Sequence, residues 1–204
     1  MSSKELDLLQ SALKNLNEGE EIKVLNDENY KFFNTMGILS IKPKIIVCNV
    51  DEQSLATGNE YTNAIQQKFI NEKIILICAD IEDQLSSLDR NEKENFMKEI
   101  GLDKTGLNKL IKEGYDLLNL NTFFTSGIEE SRAWTIKKNT RAPEAAGVIH
   151  TDFEKKFIRA EAVSCEDFFE FGSAEKCKEK GKLRIEGKDY IVKDGDVLHF
   201  RINP

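Results

Sequence analysis

Lys44-Ile45-Ile46-Val47-Cys48-Asn49-Val50-Asp51-Glu52 is the stretch whose reading decides the fold. Four apolar residues in succession, two of them isoleucines, follow Pro43 and run into Asn49, the pattern of a parallel strand covered on both faces. Ile74-Ile75-Leu76-Ile77 repeats it and ends at Cys78-Ala79-Asp80. Between them, Ala64, Ile65 and Phe69 share one helical face in the segment Tyr61 to Asn71. Strand, helix and strand predict a βαβ unit, right-handed as such connections are. Ligands of open α/β sheets bind beyond the carboxyl ends of the strands. Asn49 and Glu52 therefore stand where a base or a sugar can be read, although the same residues also make a plain polar turn between strand and helix.

The chain has 204 residues, 40% hydrophobic and 32% charged, enough for one large core or two small ones. No apolar run approaches the roughly 18 residues of a membrane span, and the amino terminus lacks a signal-peptide pattern, so a cytoplasmic protein is expected. Cys48, Cys78, Cys165 and Cys177 form no C-x-x-C pair and read as reduced core thiols. His150 and His199 are the only histidines and neither sits in a metal or triad motif, so no metal site is expected. The net charge of −7 is uneven: residues 1–120 carry 14 Lys/Arg against 21 Asp/Glu, and residues 121–204 carry 15 against 15. The balanced second part can present a local basic face, while a pI near 5.1 argues against indiscriminate nucleic-acid binding and implies no DNA specificity.

In chain order, Leu6, Leu9, Leu13 and Leu16 mark an amphipathic helix with a narrow coiled-coil-like seam that stops near Gly19. That seam docks either on the chain's own body or on a partner helix lying upstream. Asp27 to Met36 predicts a second helix with Tyr30, Phe33 and Met36 on one face. Asp89-x-x-Glu92 predicts a capping box for a helix holding Phe96 and Ile100, and Thr105 caps another carrying Leu107, Leu110, Ile111, Leu117 and Leu118. From Asn121 the pattern changes. Thr122–Thr125 and Ala133–Ile136 are β-rich on either side of Ser126-Gly127, which predicts a hairpin. Asp189–Val192 and Val197–Ile202 flank Lys193-Asp194-Gly195-Asp196, which predicts a second. In the last strand Leu198, Phe200 and Ile202 share one face, His199 and Arg201 the other. Arg141 to Lys156 is predicted helical, with Pro143 near its start, and is followed by a strand from Phe157 to Val163. Two hairpins around a helix suggest a β-grasp. Phe168, Phe169 and Phe171 are assigned to the core.

Ala145-Ala146-Gly147-Val148-Ile149-His150-Thr151-Asp152-Phe153-Glu154, Phe157-Ile158-Arg159-Ala160 and Lys188-Asp189-Tyr190-Ile191-Val192-Lys193-Asp194-Gly195-Asp196-Val197 closely resemble the C-terminal TGS domain of the YchF/Obg-like ATPase family. The likeness continues through Gly114–Leu120, Arg132–Ile136 and Ile41-Lys42-Pro43 and covers nearly the whole chain. It implies a partial α/β G domain of the P-loop NTPase class at 1–118, in which residues 1–20 are the returning helix of a coiled-coil insertion. An α+β TGS domain of β-grasp type follows at 119–204. Asn49-Val50-Asp51-Glu52 then stands where N-K-x-D stands in translation-factor GTPases, and the family's N-x-x-E variant implies that ATP is accepted, with GTP possible. A longer carboxylate cannot occupy the plane and distance that guanine requires, whereas the Asn49 amide still offers a donor and an acceptor to a purine edge. The likeness assigns base contact to Asn49, Val50 and Glu52, with Cys78-Ala79 as the loop behind the base.

A phosphate-cradling G-x-x-x-x-G-K-[ST] is absent: Gly101 to Gly106 has the glycine spacing, but Leu107-Asn108 occupies the Lys-Ser/Thr positions. Asp103-Lys104-Thr105-Gly106 fits D-x-x-G but follows a helix rather than a strand. The family carries its phosphate and Mg2+ residues in a preceding N-terminal half of the G domain. The resemblance thus implies the C-terminal part of a longer ATPase, inactive by itself. Its implied partners are the ribosome or rRNA and a nucleotide. Candidate RNA contacts are Lys137, Lys138 and Arg141, then Lys155, Lys156 and Arg159, then the run Lys176, Lys178, Lys180, Lys182 and Arg184, each interleaved with acids. A free-standing, non-catalytic RNA- or ribosome-binding regulator of TGS type is the alternative.

Overall fold

The structure, a computed structural model, describes residues 2–127 and 130–203. Two compact units divide between Asp80 and Ile81, whereas the sequence places the junction at 118/119. In the first unit, helix α1 (Ser3–Asn17) opens on a capping box in which the Ser2 and Glu5 side chains accept each other's backbone N–H, and α2 (Asp27–Thr35) is capped by Asn26. The predicted βαβ unit forms from β1 (Ile45–Asn49), α3 (Glu60–Lys68) and β2 (Lys73–Ile77), with β1 and β2 parallel and in register from Ile45/Lys73 to Asn49/Ile77.

Three expectations for this unit meet a different arrangement. β1 was expected to be covered on both faces, yet Val47 is 40% exposed and Asn49 is exposed, because among the described residues only β2 pairs with β1 and no second layer covers the Val47 face. On α1 the docking residues are Ala12, Leu8 and Leu9, which pack with Ile22, Phe32 and Phe33. Leu6, Leu13 and Leu16 of the expected seam stay exposed, so of the four leucines only Leu9 docks on the chain's own body. On α2 only Phe33 is buried, while Tyr30 and Met36 are exposed.

Helix α4 (Ala79–Ser87) leads into the second unit, followed by α5 (Arg90–Glu99) and α6 (Gly106–Leu117). The Asp89/Glu92 capping box and the Thr105 cap form as predicted, and the Glu82 carboxylate accepts the Gly106 and Leu107 N–H groups at the start of α6. Of the apolar residues predicted on this helix, Leu107, Ile111 and Leu118 are exposed.

A five-stranded sheet in the order β4-β3-β7-β5-β6 organises the remainder. Its strands are β3 (Leu120–Ser126), β4 (Ser131–Lys137), β5 (Phe157–Ser164), β6 (Arg184–Glu186) and β7 (Asp196–Ile202). The β3–β4 hairpin pairs from Leu120/Lys137 to Ser126/Ser131 as predicted; residues 128–129 of its turn lie outside the described residues. Arg141 to Lys156 becomes two helices, α7 (Ala142–Ile149) and α8 (Thr151–Lys155), because His150 is extended between them and its ring caps α8 through Asp152 N–H. Ala142, Ala145 and Ala146 of α7 are fully buried against Phe123, Ile136, Phe157, Ala160, Ala162 and Leu198, small side chains that allow close approach to the sheet. Two further short helices, α9 (Cys165–Phe171) and α10 (Ala174–Glu179), link β5 to β6. Phe169, placed in the core by the sequence, is 80% exposed, since a seven-residue helix buries only one stripe.

The predicted second hairpin does not form. The turn at Lys193–Asp196 is made, with Gly195 at φ +80°, but 189–192 does not pair with β7. Both edges of β7 are already occupied, by β3 in parallel and by β5 antiparallel, so Ile191 bridges Arg141 instead. Asp196, 3% exposed, fixes this turn by accepting from the Tyr190 hydroxyl (2.6 Å), Lys193 N–H (2.9 Å) and Arg184 Nη2 (3.0 Å). Asp196→Ala removes the buried acceptor of three donors and is expected to lower stability by about 2–4 kcal/mol, against roughly 1–2 kcal/mol for Tyr190→Phe, which removes the bond to Asp196 and the one the hydroxyl accepts from Arg184 Nη2. Urea denaturation of both variants checks the order.

Candidate functional site

The loop after β1 and the loop after β2 are joined by one side chain. Asn49 Oδ1 accepts the Ala79 N–H at 3.0 Å, and Val50 N–H donates to Ile77 O at 2.8 Å, which extends the strand pairing one residue past β1. Asn49 and Ala79, thirty residues apart, thus meet at the carboxyl ends of the two strands, with the Asn49 amide nitrogen left as a donor. Glu52 and Ala79 are exposed there and Val50 is half-buried, while Cys78 is buried and supports the loop from beneath. Asp51, which has no base-reading role in the motif, shapes the turn: its Oδ1 accepts Ser54 N–H at 2.8 Å, and hydrogen bonds from Ser54 hold its carboxyl below the ordinary value.

The basic candidates separate into committed and available cations. Lys137 Nζ donates to Leu118 O, Lys138 pairs with Asp116 at 2.7 Å, and Arg141 with Asp189 at 3.3 Å. In the lysine run, Lys182 pairs with Asp167 and Arg184 belongs to the Asp196 network. Lys155 and Lys156 are exposed at the end of α8, and Arg159 stands half exposed on β5. Sequence reasoning missed Arg201 and His199 as companions of Arg159. Their alternation on β7 was legible, but the register that sets Arg201 opposite Arg159 and His199 opposite Glu161 was not. Glu161 takes two hydrogen bonds from Arg201, at 3.1 and 3.2 Å, which hold its carboxyl below its ordinary value despite partial burial. Among the described residues no group of three His, Cys, Asp or Glu is placed to hold a metal, and no helix is long and apolar enough to cross a membrane.

Comparison with known proteins gives this geometry a context. Residues 120–203 match the family model YchF-GTPase_C, described as a protein of unknown function (DUF933). The Haemophilus influenzae protein named "Ribosome-binding ATPase YchF" is 42% identical over 203 residues, 98% of this chain and 56% of that protein. The Bacillus subtilis protein of the same name is 46% identical over 181 residues, 87% of this chain and 50% of the relative. This chain belongs to the YchF family. It corresponds to the family's C-terminal part and spans about half the length of the curated YchF relatives it matches. The solved structure of the Schizosaccharomyces pombe YchF GTPase superposes with a TM-score of 0.77 at 31% identity, covering 97% of this chain and 54% of that one. A GTP-binding protein from Pyrococcus horikoshii shares the fold at 18% identity and a TM-score of 0.55.

The Glu161–Arg201 pair carries a pH signature. The folded-state pKa lies below the ordinary 4.5, so its contribution is present above that value and is lost as pH falls through the depressed one. The gap in melting temperature between the parent and Glu161→Gln is therefore expected to be larger at about pH 7 than at about pH 3, in thermal scans at both.

Proposed function

We propose that this chain is the C-terminal portion of a ribosome-associated ATPase of the YchF family, which in full-length form binds and hydrolyses ATP, with GTP possible, in the cytoplasm. In this reading 1–118 is the C-terminal part of an Obg-type G domain, with 1–20 as the returning helix of its coiled-coil insertion, and 119–204 is a TGS domain that contacts ribosomal RNA. The observation that carries the nucleotide half is the Asn49–Ala79 hydrogen bond, because it brings the two candidate base-reading loops together at the strand ends, where α/β folds bind ligands. Asn49 presents an amide to the purine edge, Val50 and Glu52 complete the loop, and Cys78-Ala79 backs the base. Support for the ribosomal half comes from the relatives' name and from the cations of the second unit.

Phosphate and Mg2+ binding find no matching residues here: G-x-x-x-x-G-K-[ST] is absent from the 204 residues, and no metal cluster is placed among the described ones. Transfer chemistry is accordingly assigned to the full-length form and no step of it to these side chains. The same absence favours a second reading, a non-catalytic RNA- or ribosome-binding regulator.

No nucleotide cofactor is expected for this chain alone; in the full-length form, titration with a fluorescent ATP analogue is expected to show binding that Asn49→Ala weakens about 10-fold or more, since leaving a hydrogen-bonding group of the bound base unpaired costs about 1–3 kcal/mol. Identical titrations of parent and variant would remove the base-reading assignment. Incubated with ATP and Mg2+, the chain is expected to release no phosphate above a protein-free control, and release would overturn the assignment of hydrolysis to the longer form. Sedimentation with ribosomes tests the other half: a chain that stays in the supernatant at low salt contradicts it.

A further inference from the structure

On the face of the sheet away from α7, the β5–β7 register sets Arg159 directly opposite Arg201 and Glu161 opposite His199. Like charges facing each other across a ladder destabilise the pair. Here a single carboxylate offsets them: Glu161 accepts two hydrogen bonds from Arg201 and lies 3.8 Å from Arg159, an ion pair too long for a hydrogen bond. Each guanidinium carries five donors. Arg201 spends two on Glu161, and both side chains remain about half exposed, at 52% and 50%. Beside them lies a groove of about 540 Å³ whose lining includes Val163, Phe168 and Leu183 together with Glu161, Glu175, His199 and Arg201.

Forked donors next to an apolar slot match one ligand chemistry, a phosphodiester whose base is unstacked. A duplex keeps its bases stacked and offers only phosphates, and an acidic peptide engages the rim but leaves the slot empty. We infer that the β5–β7 face, through Arg159, His199 and Arg201 and the adjoining groove, binds single-stranded RNA, the phosphate on the arginines and a base in the groove. This deepens the ribosome-binding reading and rests on it for the biological source of the RNA. The face is distinct from the cluster of Lys137, Lys138 and Arg141, where Lys137 donates to Leu118 O and the other two pair with Asp116 and Asp189.

Fluorescence anisotropy of the whole chain with a labelled single-stranded RNA of about ten nucleotides, and with a duplex of equal length, tests it. Single strands are expected to bind about 10-fold or more tightly than the duplex. R159A/R201A should weaken single-strand binding about 10-fold or more and flatten the dependence of log K on log salt by about 1.4, two phosphate contacts at about 0.7 each. Glu161→Gln, which removes the internal counter-charge, should tighten binding about 2- to 5-fold, a gain that misfolding cannot mimic. Ala174→Trp, which fills the groove, should weaken the single strand and spare the duplex. Lys137→Ala/Lys138→Ala/Arg141→Ala should change affinity less than about 2-fold. A folded R159A/R201A chain that binds like the parent, a preference for the duplex, no gain with Glu161→Gln, or displacement of the RNA by polyglutamate at equal charge would each overturn the inference. Should the chain fail to sediment with ribosomes yet show this oligonucleotide pattern, the ribosomal reading falls and this one stands. If sedimentation is seen but oligonucleotide binding ignores Arg159 and Arg201, the reverse holds.

Discussion

The second unit depends on the turn at Lys193–Asp196, where two carboxylates and two backbone bonds fix β7, the central strand of the five. Asp196 accepts from Tyr190, Lys193 and Arg184, the Asp194 carboxylate accepts Thr122 N–H at 2.7 Å, Gly195 N–H donates to Thr122 O, and Cys165 N–H donates to Gly195 O. These bonds tie the turn to β3 on one side and to the end of β5 on the other, so β7 enters the sheet between them with no freedom of register. A desolvated carboxylate tolerates no slip, because a one-residue shift would strand its charge without donors. Burial and the neighbouring Asp196 carboxylate also raise the Tyr190 hydroxyl well above its ordinary value, which keeps that donor protonated.

The same insertion creates the charged face. Once β7 is fixed antiparallel to β5, Arg159 must face Arg201 and His199 must face Glu161, whatever the cost of apposing like charges. Core and surface are two readings of one register: Ala160, Ala162 and Leu198 point to α7, and the alternate residues carry the ionic groups. The first unit works by a different device, a side-chain amide that bridges two parallel strand ends and holds two loops at a fixed spacing.

Much of this was legible in the residues. The apolar runs at 45–48 and 74–77, the caps at Asp89 and Thr105, and the alternation in β7 are local signals, set by periodicity and by the hydrogen-bonding capacity of short polar side chains. So was the Asn49-x-x-Glu52 motif, because spacing within one turn survives any tertiary context. What misled was equally physical. Asp-Gly between two β-rich runs is a strong hairpin signal, but it presumes a vacant edge on β7. A leucine repeat presumes that its own residues dock, yet α1 packs through Ala12, Leu8 and Leu9.

By itself the sequence determined the apolar strands at 45–48 and 74–77, the caps at Asp89 and Thr105, which residues alternate along β7, and the membership implied by its motifs, since these rest on neighbours within a few positions. Only the tertiary structure decided that β7 sits between β3 and β5, that Asn49 meets Ala79, that Lys137, Lys138 and Arg141 are spent on internal contacts, and that Arg159 and Arg201 share one face. The physical reason is range. Periodicity and capping act over one or two turns of chain, whereas strand order and register are settled by the competition of distant segments for a limited number of backbone edges and buried donors.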